Sequence, residues 1–201
     1  MKNKRITATL ILAVVNILAF LANLAIGGGS FLGLFLSGGG YVKEYGEASY
    51  GLVMEQGQWW RLLTCGYLHM GIIHLLGNMA ALEIVGGKVE AKIGPLKMVL
   101  LYNLGTILTA FLWCLIFKKW TMAGASLGIF VLLGMVCAWL WLGRERKIIE
   151  LNRAEKRYLI VYVIVGCLLG IGTIVVHLIG FGIGMLVGFV MLKMNLRGLV
   201  E

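Results

Sequence analysis

Six apolar runs, five of them about the 20 residues a helix needs to cross a hydrocarbon layer roughly 30 Å thick and one shorter, leave this chain few ways to fold. They are Ile6–Ile26, Thr64–Gly86, Leu96–Phe117, Ala123–Leu142, Arg157–Gly170 and Ile171–Met191. Inside lipid every backbone polar group must be satisfied within its own segment, so runs of this length and composition form helices. The expected architecture is an all-α membrane protein, a polytopic bundle of six transmembrane helices in a single domain over residues 1–201. Residues 27–63 form one long outer connection. Composition agrees, with 60% hydrophobic and 13% charged residues and a single proline.

The last two runs share about 35 apolar residues, and only Gly170-Ile171-Gly172-Thr173 offers a turn between them; two short spans fit better than one very tilted helix. Five spans with a re-entrant end is the competing count. The first run follows Met1-Lys2-Asn3-Lys4-Arg5 but exceeds a signal-peptide core and lacks a small-x-small cleavage site, so it reads as an uncleaved anchor. Lys and Arg cluster at the N-terminus, in Lys88–Lys97, in Arg144–Arg157 and in the tail, leaving only Lys43, Arg61, Lys118 and Lys119 on the other side. This bias places both termini in the cytoplasm of a multi-pass cell-membrane protein. It also accounts for the net charge of +9 without nucleic acid as a partner. The basic stretch beginning Arg144-Glu145-Arg146-Lys147 is flanking charge on this reading. Cys65, Cys114, Cys137 and Cys167 lie singly at or within different spans and read as small buried hydrophobes, with no disulfide framework and no metal site. In the outer connection, Trp59-Trp60-Arg61 suits an element lying in the membrane interface.

Polar side chains at bilayer depth are costly, and all three histidines fall in apolar runs. His74 and Asn78 are four residues apart, on one face of the second span, where both donate hydrogen bonds. His69, five residues before His74, points away from it on the same helical wheel and reads as a structural or loop-binding residue. In the last span Gly180, Gly184 and Gly188 each fall within about 60° of His177 on the helical wheel, so the face bearing the imidazole is also the one another helix approaches most closely. Ser126 follows Gly124 and Ala125 at the start of the fourth span, near a helix N-terminus that attracts developing negative charge. Alone, such a serine is an N-cap. Phe130, one turn on, shares its face and is placed to buttress an imidazole. Nucleophile, base and oxyanion donors together make an acyl-transfer centre.

The series Trp60-Arg61, His69, His74-Leu75-Leu76-Gly77-Asn78, Gly86-Gly87-Lys88-Val89-Glu90, Tyr102 through Gly105, Gly124-Ala125-Ser126, and His177 with Gly180 and Gly184 resembles the rhomboid family of intramembrane serine proteases, in order from about Gln58 to Met191. The resemblance implies a six-helix bundle that cleaves transmembrane protein substrates within or near their spans in the lipid bilayer, without a cofactor or metal. By position, Ser126 is the implied nucleophile and His177 the base, a dyad with no acidic third member. His74, Asn78 and the Ser126 N–H are the implied oxyanion hole. His69, Trp60, Arg61, Glu90, Gly124, Phe130, Gly180 and Gly184 are the implied structural support, the last two allowing spans four and six to cross closely.

Two departures accompany the likeness. Where the family reads Gly-x-Ser-Gly, Leu127 follows the serine and glycine comes next, at Gly128; a bulky side chain there is expected to narrow the substrate site or shift the serine backbone. The polar loop before the last span is nearly missing. These features support an alternative, a catalytically weak or inactive relative that binds membrane clients. A third class, a small transporter using the histidines and Glu83 as a proton path, lacks inverted repeats and paired broken helices. Glu83 itself either faces a polar interior, pairs with a lysine or stays protonated.

Overall fold

A computed structural model describes residues 7–27, 45–142, 148–168 and 170–194. The glycine-rich part of the outer connection, the charged N-terminus, residues 144–147 and the tail after residue 194 lie outside the described residues. Among the described residues the long helices are α1 (Ala8–Gly27), α2 (Ile72–Ile93), α3 (Pro95–Ile116), α4 (Ser126–Leu142), α5 (Arg153–Cys167) and α6 (Ile171–Lys193). Before α2 come a π-helical turn, Gly51–Glu55, one α-helical turn, Arg61–Thr64, and a 3-10 turn, Cys65–Tyr67. The all-helical expectation needs one amendment. A two-residue antiparallel ribbon joins β1 (Ala48–Ser49) to β2 (Thr121–Met122), with Ala48 opposite Met122. It ties the outer connection to the segment leading into α4.

Four helices, α1, α2, α3 and α6, are long and apolar enough to cross a membrane. Their outward faces carry residues such as Leu18, Ile73, Leu104 and Leu186, all more than half exposed. Apolar surface on that scale suits lipid and not water. The fold is therefore that of a polytopic helical membrane protein. The other two helices differ for physical reasons. α4 is shorter, and Leu127, Ile129, Phe130, Val131, Leu132, Met135, Val136, Ala138 and Trp139 are all buried, so apolar residues surround its axis as in a helix enclosed by others. It packs against α2, α3 and most extensively α6. α5 buries only Leu159.

Helix ends follow local chemistry more than the edges of hydropathy windows. The apolar window at Thr64 does not start a long helix; the chain turns, extends through Leu68, and begins α2 only at Ile72. α5 starts at Arg153, earlier than the window at Arg157. Asn152 and Glu155 form a reciprocal capping box there, Glu155 N–H donating to Asn152 Oδ1 (2.9 Å) and Asn152 N–H to Glu155 Oε2 (2.7 Å). The α5–α6 turn comes earlier than Gly170–Thr173, since α5 ends at Cys167 and α6 starts at Ile171. Gly170 turns the chain at φ 122°, a conformation that favours glycine.

Glu90, near the end of α2, caps the start of α1. Its carboxylate accepts from the Ala8 N–H (2.9 Å), the Thr9 N–H (2.8 Å) and the Thr9 hydroxyl. An anion on otherwise unpaired first-turn amides stabilises a helix N-terminus and here also fixes α1 against α2. Glu90→Ala is expected to cost about 1–2 kcal/mol, lowering the melting temperature in detergent by several degrees. An unchanged melting curve would show that the cap contributes nothing.

Candidate active site

The segment before α4 is held from two sides. Met122 pairs with Ala48 in the ribbon, and the Gly124 N–H donates to the Cys65 carbonyl at 2.8 Å. Gly124 has φ 151°, and its missing side chain leaves room for two groups: a β-carbon there would lie 3.0 Å from His74 Cε1, 3.3 Å from His74 Nε2 and 3.3 Å from Ser126 Oγ. The His74 ring and the Ser126 hydroxyl thus converge on one small residue. Ser126 is the first residue of α4 and is buried to 7% exposure. The first amides of a helix have no intrahelical acceptor and point toward whatever lies at its start.

His177 reaches this region because α6 crosses α4 at backbone distance. A β-carbon on Gly180 would stand 2.9 Å from the Leu127 carbonyl oxygen; one on Gly184 would overlap the Val131 carbonyl oxygen, and one on Gly134 the Phe181 carbonyl oxygen. Gly188 meets Met135 and Ala138 in the same seam. Phe130, one turn beyond Ser126, lies flat on the His177 ring, with centroids 4.0 Å apart and planes 4° from parallel. The edge of the imidazole is close to Gly166 of α5, where a β-carbon would be 3.1 Å from His177 Cε1. His177 Nδ1 is buried without a hydrogen-bond partner, so among the described residues no carboxylate orients the ring through it. No hydrogen bond joins the Ser126 hydroxyl to His177 in this structure, and such pairs often tighten only around substrate.

Asn78 is buried to 1% exposure and is asymmetrically satisfied. Its Oδ1 accepts from the Tyr162 hydroxyl at 2.7 Å, while Nδ2 has no partner. A buried amide N–H₂ without an acceptor is costly unless something else supplies the acceptor.

One expectation among the remaining sequence-predicted residues is reversed. His69 does not point away from His74. Its ring meets the His74 ring edge-on at 5.2 Å, with both its nitrogens unpartnered. The helical-wheel argument failed because His69 precedes α2 and is not on that helix. Arg61 is buried, donating from Nε to Gln58 Oε1 (2.5 Å) and from a guanidinium N–H to the Glu47 carbonyl (3.0 Å), which fastens the outer connection. Its neighbour Trp60 is 57% exposed, as interfacial residues are. Glu83 is exposed on α2, which removes the polar-interior reading, and none of the described contacts pairs it with a lysine.

The Leu127 side chain is 2% exposed, buried in an apolar cluster with Val53, Leu62, Cys65, Trp113 and Val176. Gly128 is needed for another reason: a β-carbon there would come within 2.6 Å of Tyr102 and Thr106 on α3. Two participants were missed from sequence. Gly134 is the α4 counterpart of the α6 glycines, and Tyr162 holds Asn78. The only trace of Tyr162 was its four-residue spacing from Tyr158, a faint signal because tyrosine is ordinary in membrane helices.

Fold and site together define a polytopic helical membrane protein with a buried cluster of serine, histidine and asparagine near the start of its central helix. The Rhomboid domain family model matches residues 56–194, and the chain belongs to the rhomboid family. RHOMBOID-like protein 7 of Arabidopsis thaliana is 32% identical over 159 residues, covering 75% of this chain and 49% of that protein. Rhomboid protease GluP of Bacillus subtilis is 43% identical over 82 residues, 41% of this chain and 16% of that protein. Inactive RHOMBOID-like protein 8 of Arabidopsis thaliana is 34% identical over 67 residues, 33% of this chain and 19% of that protein. The chain spans about half or less of the length of these relatives.

Proposed function

We propose that this chain is an intramembrane serine endopeptidase acting on transmembrane proteins, with Ser126 as nucleophile, His177 as general base and acid, and His74, Asn78 and the Ser126 N–H as oxyanion donors. On this reading α4 and α5 complete a set of six spans, and both termini face the cytoplasm of a multi-pass cell-membrane protein. The observation that carries it is the conjunction at the α4–α6 crossing: Phe130 stacked on His177 one turn from Ser126. The unpartnered Nδ2 of Asn78, one turn along α2 from His74, supplies a donor.

His177 removes the Ser126 hydroxyl proton as Oγ attacks the scissile carbonyl carbon. Negative charge then passes to the carbonyl oxygen, where donors in a low-dielectric site stabilise it far more than they would in water. His177 returns the proton to the leaving amine, and an acyl group stays on Ser126. Water, deprotonated by the same imidazole, releases the acid and restores the serine. Stacking on Phe130 holds the ring in plane without a carboxylate, the task an aspartate performs in a triad.

The inactive, client-binding alternative rests on Leu127, whose side chain is buried in an apolar cluster, and on the short connection before α6. The test is to treat detergent-purified protein with a fluorophosphonate probe and locate the adduct by mass spectrometry. Ser126 of the folded wild type is expected to carry it. A folded wild type that takes no probe would overturn the protease reading.

A further inference from the structure

Tyr162 touches both halves of the candidate site from a helix that otherwise contributes little to it. Its hydroxyl donates to Asn78 Oδ1 at 2.7 Å. Its ring lies against Phe130, with centroids 5.6 Å apart and planes inclined at 30°, on the same phenyl group that stacks on His177. α5 is held in position for this by two other polar contacts with α2: the Tyr158 hydroxyl donates to the Gly77 carbonyl at 2.8 Å, and Lys88 pairs with Glu155 at 3.1 Å. Glu155, Tyr158 and Tyr162 fall at intervals of three and four residues, one face of α5.

We propose that Tyr162 is a positioning residue that orients the Asn78 amide for catalysis, so that α5 sets the direction of an oxyanion donor carried by α2. A primary amide has one accepting and one donating end. Holding the oxygen on a hydroxyl leaves only the N–H₂ to turn toward the reacting group. The buried Nδ2 without a partner is what such an arrangement leaves before an oxyanion forms. Without the hydroxyl, the amide is free to rotate about its last torsion, and a donor that must reorganise during the reaction stabilises less charge than a fixed one. The aromatic ring alone does not perform this task, because the bond is made by the oxygen.

This inference rests on the serine-protease reading, and the test separates the two. Rate and affinity of fluorophosphonate modification are measured for wild type, Tyr162→Phe, Tyr162→Leu, Tyr158→Phe, Asn78→Ala and the double variant Tyr162→Phe/Asn78→Ala, each with its melting temperature. Tyr162→Phe keeps the ring and is expected to lower the maximal modification rate about tenfold at unchanged probe affinity, a smaller loss than removal of a donor itself. Tyr158→Phe, which loses a bond of the same kind on the same face, is expected to keep the wild-type rate even where its melting temperature falls. On the Asn78→Ala background, Tyr162→Phe is expected to add no further loss, the signature of two residues acting through one contact. A wild-type rate in Tyr162→Phe beside a slow Tyr162→Leu would overturn the proposal in favour of ring packing. An undiminished effect in the double variant would overturn it too. In both cases wild-type labelling at Ser126 would leave the protease reading intact, whereas an unlabelled wild type ends both.

Discussion

Ser126→Ala is expected to end fluorophosphonate labelling altogether, and His177→Ala to slow it by about 10³-fold or more in a protein that still melts like wild type. The serine effect is absolute because the bond to phosphorus forms at Oγ. The histidine effect follows from the pKa of a serine hydroxyl, which is a weak nucleophile unless a base takes its proton as it attacks. General bases contribute about 10²–10⁴-fold, and groups acting as a unit lose nearly everything when one is removed. Among the described residues no carboxylate is bonded to His177 Nδ1. Removing His177 also strips Phe130 of its stacked neighbour, so a melting curve accompanies each rate. A His177→Ala protein that labels at the wild-type rate would show that Ser126 is activated by another group.

Gly184→Ala is expected to be the most damaging glycine-to-alanine change among the described residues. A β-carbon at that position would overlap the Val131 carbonyl and come within 2.9 Å of the Met135 nitrogen, both backbone atoms of α4. A flexible side chain can swing aside, but a helix backbone has to move as a body. Separating α4 from α6 would break the seam at Gly134, Gly180 and Gly188 and draw the His177 ring away from Ser126. The expected cost is about 3 kcal/mol or more, seen as loss of monodisperse folded protein, with activity falling further than stability. Gly182 is the matched control. It lies on the same helix with nothing within 4 Å of its would-be β-carbon, so Gly182→Ala is expected to be neutral or to stabilise α6 through helix propensity, by about 1 kcal/mol at most. Equal tolerance of the two alanines would contradict the close crossing.

The contrast between these glycines marks how far the sequence could be read. The spacing of His177, Gly180, Gly184 and Gly188 identified the face of α6 that accepts a close neighbour, because spacing by three and four residues along one helix is a local property. It could not identify Gly134 as the matching residue on α4, since that depends on how two separate helices are rotated against each other. The same limit explains His69. Its distance from His74 was projected onto a helix that the chain does not form until Ile72, and the contact of the two rings arises from the turn at Cys65–Tyr67 and the extended residues after it. Leu127 adjoins Ser126 in sequence, but its burial with Trp113 and Val176 depends on residues more than ten positions away.

What the sequence determined by itself was the solvent and the class of element. Long uncharged runs have no stable home but lipid, and lipid admits them only as helices whose backbone bonds are satisfied internally. It determined the candidate site's residue types as well, since their order along the chain is what resembles the family. The tertiary structure decided what those residues touch. Phe130 on His177, Tyr162 on Asn78 and His69 on His74 are contacts between elements distant in sequence or separated by a turn, and their geometry is set by the packing of the whole bundle. Hydropathy and helical period are sums over neighbouring residues along one axis, and they carry no term for the rotation of one helix about its axis relative to the next.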